Sequence, residues 1–197
     1  MATLATKTRE EWLLALTDMV RPLFKEAGAE LPARLRVSCG WPSSRGLATP
    51  TAKSRTIGQC WPTELSNDGT PEVFVSPYVA DSLDVAAVLV HELVHVADNC
   101  KNGHGTPFKR IAVKLGLEGR MTATHAGEAL KKRLAAMVEI VGTYPHASLD
   151  RSQLKKQGTR MVKVECPECG YVVRTTAKWI ETGLPTCACG AEMEASV

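Results

Sequence analysis

The chain has 197 residues, 44% of them hydrophobic and 23% charged, with a formal net charge of +3. That is the make-up of an ordinary globular protein, long enough for one domain or for one domain with a small appendage. No apolar run approaches the ~18 residues that a membrane span needs. The start, "MATLATKTREEW", turns polar where the apolar region of a signal peptide would stand, so a cytoplasmic protein, taken as a monomer, is expected.

Thr8 to Ala27 reads as an amphipathic helix. Thr8 and Glu11 fit a capping box, Trp12, Leu16, Val20, Leu23 and Phe24 recur at helical spacing, and Gly28 marks a stop. Leu35 to Trp41, "LRVSCGW", alternates like a strand, and a polar, basic loop, "PSSRGLATPTAKSR", follows. Arg55–Trp61 and Glu72–Ser76 are two further strand candidates, with an Asn-Asp-Gly turn signal between them. The 72–76 strand is expected at the free edge of the sheet. Asp81 or Ser82 can cap the next helix, "LDVAAVLVHELVHVADN", expected to stop near Gly103. Helices over Thr106–Leu115 and Ala126–Val141 follow, and Tyr144-Pro145 closes the second. From Arg151 the composition shifts: Arg151, Lys155, Lys156, Arg160 and Lys163 stand with no acid among them, which reads as a basic linker. The organisation expected is an α+β domain over 1–148, a linker over 149–163 and a small cysteine-rich module over 164–197.

The stretch "HELVHVADNCKNGHG" holds three of the chain's five histidines. On a helix, positions i and i+4 share a face, so His91 and His95 project side by side at a separation that suits one zinc ion. Glu92, beside the first histidine, is placed to act as general base on a metal-activated water. A catalytic zinc keeps three protein ligands and an open fourth position. His104 is the best third donor, because Gly103 and Gly105 let the chain turn back. Asp98 is the competitor, preferred as a supporting or capping group, and Glu118 and His125 are weaker candidates. A core histidine is the ordinary reading of one lone histidine. Here, however, Val88, Leu89, Val90, Leu93, Val94 and Val96 make the helix apolar nearly all round, and burying a glutamate and two histidines there is costly without a partner ion.

Seven cysteines in a reducing compartment read first as metal ligands or buried thiols, and the odd count disfavours a disulfide framework. Cys166, Cys169, Cys187 and Cys189, as Cys-x-x-Cys and Cys-x-Cys, can close a tetrahedron around a structural zinc. A module this small needs such a staple. Cys39, Cys60 and Cys100 lack partners of this kind and read as buried small apolar residues. Lys155, Lys156, Arg160 and Lys163, with Arg174, Lys178 and Trp179 inside the module, combine positive charge with an aromatic face. Phosphate contact and base stacking use that combination, and a solvated linker with a structural cap is the alternative.

"VLVHELVHVADN…GHGTPFK" resembles the SprT-like zinc metallopeptidases, which include the Spartan proteases. "IGQCW" followed by "EVFVSPYVAD" is similar in type to the family's two strands ahead of its active-site helix. The resemblance covers roughly residues 8–142, most strongly 55–108, and small SprT-like proteins with a C-terminal zinc ribbon occur in bacteria and phages. It implies a zincin-like domain with His91, His95 and His104 as ligands of a catalytic zinc, Glu92 as the catalytic glutamate, and protein substrates bound to DNA. Tyr78, His125, Tyr144 and His146 are candidates for an added oxyanion donor. The competing expectation is a non-catalytic nucleic-acid- or protein-binding module in which the histidine-bound zinc is structural.

Overall fold

The computed structural model describes residues 8–42, 56–149 and 161–196. The chain divides into two compact units, Met1–Ser152 and Gln153–Val197. The class is α+β, with small sheets and short helices.

Helix α1 (Arg9–Glu26) opens on the reciprocal cap written in the sequence: the Glu11 N–H donates to Thr8 Oγ1 at 3.2 Å, and the Thr8 N–H donates to Glu11 Oε2 at 2.7 Å. Its apolar stripe, Trp12, Leu13, Leu16, Val20, Leu23 and Phe24, is buried. The Trp12 indole donates to the Gly142 carbonyl at 2.7 Å, tying the start of the chain to the end of the first unit.

Three short strands follow: β1 (Arg36–Cys39), β2 (Gly58–Trp61) and β3 (Glu72–Val75). Their order is β1-β3-β2, with β1 parallel and β2 antiparallel to β3. The expected edge at 72–76 is therefore wrong, because β3 is bonded on both sides. Val73 and Val75 send their side chains into the core, fully buried; among the described residues β1 and β2 are the two edges of the sheet, and β2 is the one that lines the cavity.

Helix α2 (Ser82–Ala97) starts at Asp81, whose carboxylate accepts from the N–H groups of Leu83 and Asp84 at 2.9 and 3.0 Å. Val85, Leu89, Val90, Leu93 and Val94 are fully buried, each side chain contributing about 1.5–3 kcal/mol over its exposed state. The helix ends well short of Gly103. Asp98 is the C-cap, and Asn99 and Cys100 follow in the left-handed region at φ 53° and 57°. The Asn99 side chain holds that turn by bonding the Thr63 N–H, the Thr63 hydroxyl and the Glu64 carboxylate just past β2.

Helix α3 (Thr106–Leu115) leads into a hairpin absent from the sequence reading, β4 (Leu117–Arg120) and β5 (Ala123–Ala126), and helix α4 (Glu128–Val141) completes the unit. The hairpin buries little beyond Leu117, so no apolar alternation marks it.

The second unit has a sheet of order β7-β6-β8, from β6 (Met161–Glu165), β7 (Val172–Thr176) and β8 (Glu194–Ser196), with a short helix α5 (Ala177–Thr182) after β7. Its buried core is Val164, Cys166, Cys187 and Met193. None of the helices described is long and apolar enough to cross a membrane.

Candidate functional site

Helix α2 delivers His91, Glu92 and His95 to one cavity of about 940 Å³, and the loop after it delivers His104. The ring nitrogens converge: His104 Nε2 lies 3.2 Å from His91 Nε2 and 3.2 Å from His95 Nε2. Two nitrogens on a tetrahedral ion at bonds of about 2.0–2.1 Å would sit ~3.3 Å apart, so the spacing fits a shared cation. It does not suit a hydrogen-bond chain. Each Nε2 carries either one proton or one lone pair, and His104 cannot serve both neighbours with the same atom.

Several local features hold this geometry. Gly103 turns at φ 50°, and the Gly105 N–H bonds the Asn102 carbonyl at 2.9 Å, which brings His104 back over the helix. Phe108 of α3 is fully buried, with its ring centroid 5.0, 4.4 and 5.0 Å from those of His91, His95 and His104. One aromatic ring thus supports all three imidazoles, a physical reason for the glycines and phenylalanine in "GHGTPF". His91 Nδ1 lies 2.7 Å from Thr124 Oγ1 on β5. A proton on Nδ1 donated to that hydroxyl leaves the Nε2 lone pair free for a metal. Burial, aided by the neighbouring imidazoles, lowers His91 to about 3, and burial likewise lowers His95 to about 4. Burial also lowers His104. All three are therefore neutral at pH 7, the form that ligates metal.

Glu92 is buried, and burial pushes its carboxyl up to about 8. A divalent cation beside it would favour the carboxylate and bring the group back to a base. Its opposite wall is β2, at Gly58. A Cβ there would overlap the Glu92 carboxylate and meet Val88 Cγ1 at 2.8 Å, so only glycine lets the edge strand approach this closely.

The other candidates fall elsewhere. Asp98 caps α2 through its backbone, and its carboxylate oxygens are buried without a hydrogen-bond partner among the described residues. Glu118 packs over Gly127, 3.9 Å from the exposed His125, on the outer side of the hairpin. None of the four proposed oxyanion donors lines the cavity. Tyr78 packs on Trp41, Tyr144 is buried edge-on against Trp12, His146 bonds the Pro77 carbonyl at 2.9 Å, and His125 points outward because residues alternate along β5. The hairpin instead contributes Arg120, Thr122 and Thr124 to the cavity. Cys60 and Cys100 also line it, with sulfurs 2.7 Å apart, so they are not the isolated apolar residues expected.

In the second unit Cys166, Cys169, Cys187 and Cys189 gather with their sulfurs all within 4.8 Å of one another. Cys166 lies 3.5 Å from Cys189, and Cys169 lies 3.5 Å from Cys187. Each pair sits in a tight turn closed by a left-handed glycine, Gly170 at φ 71° and Gly190 at φ 93°. The first turn bonds the Gly170 N–H to the Cys166 carbonyl at 3.0 Å, and the second, one residue shorter, bonds the Gly190 N–H to the Cys187 carbonyl at 2.9 Å. The shorter Cys-x-Cys spacing thus still presents two sulfurs on one side. Backbone N–H groups of Cys169 and Glu168 aimed at its sulfur hold Cys166 down to about 7, towards the thiolate a metal needs.

Of the basic residues, Lys155, Lys156 and Arg160 lie outside the described residues. Lys163 on β6 is paired with Glu165. Arg174 on β7 and Trp179 on α5 border one groove, and the Lys178 ammonium stands 5.0 Å over the exposed Trp179 ring. Comparison of the chain with protein-family models, with curated proteins and with solved structures found no match.

Proposed function

We propose that the protein is a zinc-dependent endopeptidase of the kind the SprT-like resemblance implies, a zincin-like domain followed by a zinc ribbon. The observation that carries this reading is the convergence of three neutral imidazole nitrogens beside a buried glutamate in one open cavity. His91, His95 and His104 would hold the zinc, and the four cysteines would hold a second, structural one. Zinc at the three histidines supplies Lewis acidity, which lowers the pKa of water to about 7 and polarises a carbonyl.

The chain's own residues do the rest. Glu92 takes the proton of the attacking water and passes it to the leaving amine. Thr124 fixes the His91 ring. The β2 edge, open beside the cavity, offers main-chain groups to an extended substrate strand. Arg120, the only arginine or lysine lining the cavity among the described residues, takes over the anion-stabilising role first sought among tyrosines and histidines. Proteins bound to DNA are the proposed substrates, with Arg174, Lys178 and Trp179 as nucleic-acid contacts. Their exposure, and the cation over the indole, support that part.

The test compares wild type with Glu92→Gln on a DNA-binding protein, with and without single-stranded DNA. Zinc per chain is measured in parallel by mass spectrometry. Cleavage by wild type alone, faster with DNA, is the expected result. Two zinc ions bound with no cleavage in any lane would instead favour a binding protein with two structural metals.

A further inference from the structure

Cys60 on β2 and Cys100 after α2 are 40 residues apart in sequence, and their sulfurs lie 2.7 Å from each other. That is closer than unbonded sulfurs pack and a little beyond the ~2.0 Å of a disulfide bond. Both residues are half-buried and line the cavity, so a small reagent in the cavity can reach them. Their approach is built into the backbone. Residues 58 and 60 share one face of β2: Gly58 lies against Glu92, and Cys60 against Cys100. On the other side, Asn99 and Cys100 hold consecutive left-handed conformations that L side chains rarely adopt. The Asn99 clasp on Thr63 and Glu64 and the Cys100 N–H bond to the His95 carbonyl, at 2.8 Å, keep that turn in place. Each of the other cysteines is placed elsewhere. Four gather in the candidate metal site of the second unit, and Cys39 Sγ accepts a hydrogen bond from Arg9 at 3.7 Å.

We propose that Cys60 and Cys100 are a modification site, a dithiol that a low-molecular-weight disulfide oxidises to an intramolecular disulfide, bolting the edge strand β2 to the segment that carries His104. One cysteine, as thiolate, attacks a sulfur of the reagent RS–SR; the S–S bond breaks, RS⁻ leaves, and a mixed disulfide forms. The second cysteine loses its proton and attacks the protein sulfur of that mixed disulfide, expelling the second RS⁻. The two protons released end on the two RS⁻ groups. The protein dithiol is oxidised by two electrons, and one RS–SR is reduced to two RSH. Because His104 follows Cys100 by four residues, the bond constrains both the strand that would receive substrate and the approach of the third histidine.

The experiment uses the full chain in the presence of zinc, so that the four clustered cysteines are held, with oxidised glutathione as reagent. Non-reducing peptide mapping by mass spectrometry and amide hydrogen exchange are the readouts. The expected result is one crosslink joining the peptides of Cys60 and Cys100. Exchange at residues 57–61 and 98–104 slows by about tenfold and recovers on reduction. Cys60→Ser and Cys100→Ser each leave a glutathione adduct on the remaining partner and show no slowing. Glutathione adducts persisting on both cysteines of wild type, both thiols left unreacted, or a crosslink without slower exchange would each overturn the proposal. None of these readouts depends on proteolysis or on a metal at the three histidines. A chain that forms the crosslink but never cleaves protein would refute the peptidase reading alone.

Discussion

The three-histidine cluster and the four-cysteine cluster each gather ligands from two stretches of chain, yet they stand on different supports. His91 and His95 ride on a helix whose Val85, Leu89, Val90, Leu93 and Val94 are fully buried, and Phe108 backs the ligand rings. That core exists without a metal, so the fold positions the site. In the second unit two of the four buried core residues, Cys166 and Cys187, belong to the four-cysteine cluster themselves, so there a bound metal would be part of the core. The first cluster offers three donors and opens onto a cavity, leaving room for chemistry. The second offers four and leaves none.

The largest effect that follows is on folding. A strong chelator should unfold residues 161–196, since coupling of zinc to the folding of so small a module amounts to about 10–16 kcal/mol. The helices of the first unit should keep their hydrogen-exchange protection under the same treatment. Simultaneous loss of protection in both units would break the distinction drawn here. Cys187→Ser should reproduce the unfolding of the second unit alone. Next in size, if the chain is the zinc peptidase proposed above, Glu92→Gln should lower cleavage about 10²–10⁴-fold with zinc content and melting temperature kept, because shape remains while the proposed base is lost. A melting temperature that falls together with activity would assign Glu92 a structural role instead.

A smaller effect separates a tuned site from a merely assembled one. Thr124→Val removes the acceptor for the His91 ring N–H, and zinc affinity at the histidines should fall about 10–100-fold. Thr124→Ser should restore it, and neither change should touch the cysteine cluster. Competition with a metal-sensitive dye measures both affinities.

Thr124 shows where a sequence stops being readable. His91, Glu92, His95 and the four cysteines were legible because their spacing is local and geometry follows from a helix turn or a knuckle. His104 was legible because flanking glycines betray a return. Thr124 meets His91 across 33 positions, and Cys60 meets Cys100 across 40; no local pattern encodes either. The 72–76 strand is not the sheet edge expected of it, for a related reason. "EVFVS" alternates as a half-buried strand does, which says nothing of its neighbours; the parallel pairing of β1 with β3 brings a distant strand alongside, so β3 is central and β1 and β2 are the edges. The hairpin Leu117–Ala126 carries no apolar alternation, since it buries little beyond Leu117 and turns Arg120, Thr122 and Thr124 to the cavity rather than to the core. The four oxyanion candidates rest on residue type alone, and residue type does not show that none of them lines the cavity or that Tyr144 packs edge-on against Trp12.

The smallest expected effect concerns pH, and it too divides the first cluster from an ordinary surface group. In metal-free protein, burial holds His91 near 3 and His95 near 4, against 6.5 for the free side chain. Between those values the unfolded chain binds protons that the folded chain refuses. The two histidines should therefore cost stability as pH falls from about 6.5 towards 4, while Glu92, raised by burial to about 8, costs stability as pH rises from 4.5 towards 8, so the metal-free first unit should be most stable near pH 6.5. Urea unfolding of the metal-free chain at stepped pH, followed by tryptophan fluorescence, reads this directly. His91→Gln and His95→Gln should each flatten the slope, because a neutral amide takes up no proton in either state. An unchanged slope in both variants would mean that the histidines are open to solvent in the metal-free chain, and that a bound ion would be needed to assemble the cluster.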